Sequence, residues 1–287
     1  MVALFVSAIA ACSDSAGLRP LPESLLVRRM DGLYSVSPNG TQSTQLYAGA
    51  VNQAAWSPDK QRVAFTARID GTGVNVYVLD VASGAIRNAA PASGVLDYWP
   101  RWSPDGTRIA FTRIDPSLRE SASQQLRDVD VNTGKLEAIT PPGFDSGELD
   151  WSVDGTIYVS SAGYYPWGDF IQRLYAVRPG APPARVDEPC EGGATNLQTS
   201  PDGGSIAMKC RLDSGAPEST VVRSLRSGGD VVFSLGLTST HWSPNGEQLG
   251  FTLRTGAGVA PFAVVDARGG SWEVISPDIG GSVMDWR

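Results

Sequence analysis

Short stretches of this chain alternate apolar and polar residues with a period of two. Examples are Arg62-Val63-Ala64-Phe65-Thr66, Arg108-Ile109-Ala110-Phe111-Thr112 and Leu249-Gly250-Phe251-Thr252. That period, carried by β-branched and aromatic residues, predicts β-strands half-buried on one face. Ahead of these stretches comes a recurring tetrapeptide: Trp56-Ser57-Pro58-Asp59, Trp102-Ser103-Pro104-Asp105, Trp151-Ser152-Val153-Asp154, Thr199-Ser200-Pro201-Asp202 and Trp242-Ser243-Pro244-Asn245. Pro presets the first corner of a turn, Asp accepts from the nearby backbone, and a following Gly tolerates positive φ. Each motif therefore predicts a tight hairpin between two strands.

A sixth motif start, Trp286, stands where the sequence stops, and the successive intervals are 46, 49, 48, 43 and 44 residues. Periods of this size mark propeller blades or helical repeats, and the strand chemistry selects blades. A third strand follows in each unit (Val76 to Asp80, Leu126 to Asp130, Leu174 to Val177, Phe262 to Asp266), and a Gly-bearing turn leads to a fourth, such as Lys135 to Ile139 or Ser271 to Ile275. The last unit supplies only an innermost strand, whereas Leu25 to Arg28, Leu33 to Val36 and Thr44 to Tyr47 supply three strands lacking one. Pairing them completes a blade and removes two exposed sheet edges. The expected fold is all-β: a six-bladed β-propeller of four antiparallel strands per blade over residues 25–287, its ring closed by the N-terminal strands pairing with the C-terminal one.

Composition narrows the function. With 32 Gly and 20 Pro in 287 residues, turns are frequent. A net charge of −7 with basic residues scattered in ones and twos argues against a nucleic-acid surface, which needs a concentrated basic patch. Residues 1–11 are almost wholly apolar and run into Ile9-Ala10-Ala11-Cys12, followed by Ser13-Asp14-Ser15. This resembles a bacterial lipobox. The resemblance implies a signal peptide over residues 1–11, lipidation of Cys12 and a tether over residues 12–24. The positively charged segment that opens such signals is missing, so the true start is expected further upstream. Cys190 and Cys210 then remain in an oxidising compartment, where a disulfide between them competes with two free thiols.

The repeated Trp-Ser-Pro-Asp-Gly unit resembles that of the TolB-like propellers and of the propeller domains of prolyl oligopeptidase-like enzymes. It implies the fold across the mature chain and leaves the function open. No residues remain for a hydrolase domain, and the Gly-x-Ser-x-Gly nucleophile pattern is absent. His241 is the only histidine, which argues against a triad or a multi-histidine metal centre and suggests packing or a local hydrogen bond beside Trp242. Asp150 and Asp285 share one repeat position, with Glu148 and Asp97 nearby. They either balance charges such as Arg101, sit solvated in the channel, or act as the carboxylate pair of a polysaccharide lyase or glycoside hydrolase. A channel cation is conceivable, but no calcium-loop spacing supports it.

Propeller geometry puts the loops that enter the innermost strands and those between second and third strands on one face, opposite the tetrapeptide turns. On this loop face fall Tyr98 and Trp99, Arg101 close by, and the insertion that contains Tyr164, Tyr165, Trp167 and Phe170. Tyr and Trp combine a large apolar area with a polar edge and dominate binding hot spots. The alternative is an insertion that folds back over its own blade. The resulting expectation is a non-catalytic, cofactor-free, monomeric binding or scaffold protein. It would be lipid-anchored in the bacterial periplasm, with the outer membrane favoured, and present this face to an envelope protein or glycan.

Overall fold

The computed structural model describes residues 24–118, 124–164, 172–233, 239–253 and 260–286. They form six four-stranded antiparallel sheets, and no helix long and apolar enough to cross a membrane occurs among them. Blade 1 comprises Ala54–Trp56, Arg62–Ala67, Asn75–Asp80 and Ile86–Asn88, running outward from the central channel. Blades 2 to 5 repeat this order from the inner strands Leu96–Trp102, Leu149–Trp151, Thr195–Thr199 and Thr240–Trp242. Blade 6 is split: Ser282–Trp286 is its inner strand, and Leu25–Arg29, Gly32–Val36 and Ser43–Ala48 follow it outward. Leu25 pairs with Trp286 and Arg28 with Ser282, so the closing contact is an antiparallel ladder, its register shifting once between Leu26 and Val27.

The tetrapeptide builds the same wiring in four blades. In blade 1 the Ser57 hydroxyl donates to Asp59 at 2.5 Å and accepts the Arg62 N–H at 2.9 Å. Ser103, Ser200 and Ser243 repeat the pattern with Asp105, Asp202 and Asn245. One hydroxyl thus satisfies backbone groups that the reversal takes out of the ladder. Blade 3 departs from it: the Ser152 N–H bonds the Thr156 carbonyl instead of reaching five residues on, so the turn is one residue shorter. With Val153 in place of proline, the Ser152 hydroxyl is left without a partner.

Six apolar clusters fill the six spaces between neighbouring blades. Between blades 1 and 2, for instance, Ala64, Val76 and Val78 meet Trp102, Ile109 and Phe111. Leu25, Val27 and Val283 meet Phe262 and Val264 between blades 6 and 5. Fully burying one such aliphatic or aromatic side chain contributes roughly 1.5–3 kcal/mol, so the ring is held together mainly by face-to-face packing of its blades. Cys190, in the loop that crosses from blade 3, is joined by a disulfide to Cys210 at the end of blade 4's second strand, with Cα atoms 5.4 Å apart. The bond lies in the cluster between those blades, beside Met208.

Candidate functional site

Because every inner strand ends at the same motif position, equivalent residues form rings around the channel. One residue before the Trp position stand Ala55, Arg101, Asp150, Gln198, His241 and Asp285. Three before it stand Gln53, Trp99, Glu148, Asn196, Ser239 and Val283. On the turn face a cavity of about 470 Å³ opens between the prolines Pro58, Pro104, Pro201 and Pro244, with Lys60 and Trp151 in its wall. On the loop face a smaller pocket of about 130 Å³ is bounded by Gln53, Trp99, Glu148, Asn196, Ser239 and His241, among others. Arg101 and Gln198 line both, which puts them at the waist of the channel.

The polar ring residues act as latches from one blade to the next. Asp285 accepts the Trp56 N–H at 2.8 Å and the Trp286 N–H at 2.9 Å. Asp150 accepts both the N–H and the hydroxyl of Thr199 at 2.7 Å and pairs with Arg101 Nε at 2.9 Å. Glu148 accepts the Asn196 N–H, and Asn196 Oδ1 accepts the Thr240 N–H at 3.0 Å. Gln198 Oε1 accepts the Trp242 N–H at 3.3 Å, which turns its Nε2 toward His241 Nδ1 at 2.9 Å. Since that amide nitrogen must donate, Nδ1 is the acceptor and the imidazole carries its proton on Nε2, with the Val283 backbone as the nearby polar group.

Burial sets the protonation of this ring. His241 is 3% exposed, and its pKa is pushed down to about 4 by desolvation, with Asp285 pulling it up and Arg101 reinforcing the drop. It is therefore neutral at physiological pH. Glu148 is raised above the usual carboxylate range by burial, against the opposing pull of the Asn196 N–H and of Arg101. Asp97 does not reach the channel. It is fully buried and holds Arg113 through two bonds of 2.7 and 2.8 Å, where desolvation outweighs that pairing and raises its pKa.

Backbone strain points to the same place. Among the described residues, three non-glycines adopt left-handed φ: Lys60 at 58°, Trp99 at 53° and Asn196 at 51°. All three line the channel. Such a conformation costs roughly 1–2 kcal/mol for a residue with a Cβ, and strain of this kind collects at functional sites. Lys60 occupies the turn position that Gly106, Gly155, Gly203 and Gly246 fill in blades 2 to 5, each of them also at positive φ. Trp99 and Asn196 sit at bulges in the inner strands of blades 2 and 4.

Of the residues expected on the aromatic face, Tyr98 and Trp99 are half-buried with ring centroids 5.5 Å apart, and Trp99 forms part of the loop-face mouth. Arg101 lines the same pocket as Trp99 and reaches the waist, where it is held by Asp150 and by the Pro100 carbonyl. The backbone of Tyr164 pairs with Phe144, whose side chain belongs to the cluster against which Trp99 packs. Tyr165, Trp167, Phe170 and Cys12 lie outside the described residues. Asp150 balances Arg101, as one of the alternatives held, and Asp285 is bonded to backbone. Sequence reasoning did not single out Lys60, Gln53, Asn196 or Gln198. The signal was present: aligned on the Trp, the repeat puts the last three in two polar columns, and Lys60 stands where the turn calls for glycine.

Among the described residues no three His, Cys, Asp or Glu side chains come together to hold a metal ion. No family profile matches the chain. Dipeptidyl-peptidase 5 of Porphyromonas gingivalis is 23% identical over 147 residues, which is 47% of this chain and 22% of that protein. Among solved structures, TolB from Acinetobacter baumannii superposes with a TM-score of 0.70 at 19% identity, covering 86% of this chain and 61% of that one. An oligogalacturonate lyase in complex with manganese gives 0.63 at 15% identity over 86% of this chain and 70% of the lyase. A TolB-like six-bladed propeller is thus the fold, and the chain spans about a fifth of the curated relative and less than two thirds of the TolB structure.

Proposed function

We propose that the chain is a non-catalytic binding propeller of the bacterial cell envelope that engages a protein or glycan partner at the loop-face mouth of its channel. The observation that carries this reading is Trp99, a large aromatic held in left-handed backbone at that mouth, with Tyr98 against it. An aromatic pair anchored on a rigid sheet presents contact area at low entropic cost on binding. The Cys190–Cys210 disulfide supports an oxidising compartment, and the TolB likeness in fold agrees with it. A lipid anchor at Cys12 belongs to the same proposal.

The rival, a lyase or hydrolase acting through channel carboxylates, is disfavoured by the latches. Asp150 and Asp285 accept backbone N–H groups of neighbouring blades and Glu148 accepts that of Asn196, so the three carboxylates serve first to hold the ring. A photo-crosslinking amino acid placed at Tyr98 in intact producing cells tests the site, with exposed Val153 on the turn face as comparison. The expected result is a discrete adduct from Tyr98 alone. Equal adducts from both positions, or none, would remove the proposed mouth. Turnover of a glycan panel that disappears in Glu148→Gln would favour the enzyme.

A further inference from the structure

From the hydrogen-bonding groups left over at the loop-face pocket, we infer that it is a site for a neutral sugar ring, with Trp99 as the stacking platform. This inference rests on the binding-propeller reading and names the chemistry of its ligand. Gln53 spends its Oε1 on the Thr66 hydroxyl at 3.0 Å, which leaves its Nε2. Asn196 spends its Oδ1 on Thr240, which leaves its Nδ2. Arg101 uses Nε on Asp150 and Nη1 on the Pro100 carbonyl, which leaves Nη2. Glu148, which accepts the Asn196 N–H and is also faced by that of Leu197, brings its carboxylate to the same mouth as an acceptor. All four residues and Trp99 line one pocket of about 130 Å³ that is open to solvent, room for one face of a pyranose.

Three N–H donors and one carboxylate acceptor, with the Ser239 hydroxyl able to serve as either, surround an aromatic ring and discriminate between ligand classes. The guanidinium charge is already balanced by Asp150, so the remaining carboxyl at the pocket is Glu148, whose charged form burial disfavours. An anionic ligand would face that carboxylate, and a cationic one would meet three donors and a single carboxylate. Sugar hydroxyls do both jobs, accepting from the amide and guanidinium groups and donating to Glu148. The C–H face of the ring then covers the indole. The apolar floor of Ala54, Leu149 and Leu197 suits that face as well. The strain held at Trp99 and Asn196, two members of this set, has a purpose in such a site: it fixes the platform and an amide before the ligand arrives.

Titration calorimetry on the full chain, with glucose, galactose, N-acetylglucosamine and maltose as probes, tests this, with glucuronate and glucosamine as the charged comparators. At least one neutral sugar should bind saturably, and Trp99→Ala and Gln53→Ala should each weaken it about tenfold, or about 1.4 kcal/mol. Thermal melts establish that both variants fold. Should Trp99→Ala fail to fold, Gln53→Ala decides alone, because the buried Thr66 hydroxyl still accepts the backbone N–H of residue 53 while the side-chain donor is lost. Absence of saturable binding by any neutral sugar overturns the inference. So does binding confined to glucuronate or glucosamine, or binding that both folded variants retain. A crosslinked partner at Tyr98 together with no sugar binding leaves the binding-propeller reading standing and removes this one alone.

Discussion

Acidification should loosen the propeller through one side chain. His241 is the sole histidine of the chain, buried at the waist, and the folded protein holds its pKa at about 4 against 6.5 for the ordinary group. As pH falls through this window the unfolded chain takes up a proton that the folded chain refuses, so the contribution to stability is fully present above pH 6.5 and is lost progressively down to about 4. At 1.36 kcal/mol per pH unit the gap amounts to roughly 3 kcal/mol. The groups that face the imidazole are Asp285, which favours its charged form, Arg101, which opposes it, and the Gln198 amide on Nδ1. Other carboxyls act in the opposite sense. Asp97, Asp145, Glu148 and Glu188 all have pKa values raised by burial and bind protons more tightly when folded, which stabilises the fold as pH drops. The total profile is therefore a difference of trends, and the informative quantity is the wild type compared with His241→Gln, which keeps a polar side chain beside Gln198. Urea unfolding followed by tryptophan fluorescence between pH 7.5 and 4.5 should show the two curves converging by roughly 2–3 kcal/mol at the acid end. Parallel curves would refute the argument that burial keeps this imidazole neutral.

Three further outcomes are expected. Asp150→Ala strands Arg101 and the Thr199 N–H together and should cost about 3 kcal/mol by urea unfolding. Asp150→Asn preserves one acceptor and should cost about half of that; equal and negligible losses would mean that the latch does not hold the blades. Replacing Cys190 and Cys210 together by Ala opens a loop whose ends are 20 residues apart and should lower stability by roughly 3 kcal/mol, read as a fall in the denaturation midpoint. Lys60→Gly relieves left-handed strain at an exposed turn and should raise stability by up to about 1 kcal/mol; a loss in a thermal melt would show that Lys60 is kept for the fold.

The parts of the molecule that could be read directly are those whose cause is local. Arg62 to Thr66 is a strand because of its own alternation, and the Ser57-Pro58-Asp59 reversal is wired by atoms within five residues. Closure was legible too, since counting strands left one end short of an inner partner. The latches were hidden because their partners are a full blade away: Asp150 reaches Arg101 and Thr199 across 49 residues each, and Gln198 reaches His241 across 43. Only the repeat column, not the neighbourhood in sequence, carries that information. Trp99 was noticed for its ring and not for its backbone, because a tryptophan gives no hint of positive φ; the bulge between Tyr98 and Arg101 that demands it emerges from pairing with blade 2's second strand. Arg101 was grouped with the aromatics by proximity along the chain, and it does share a pocket with Trp99, but its guanidinium is taken by Asp150, which only the structure reveals.

The pairing of Leu25 with Trp286 also gives the ring a top and a bottom. Trp286 occupies the motif position that precedes the hairpin turns in the other blades, so the polypeptide enters the propeller from below, beside the proline-walled cavity. Any leash attached ahead of residue 24 pulls from that side. The mouth framed by Trp99 opens on the opposite face, away from the point where residue 24 joins the ring.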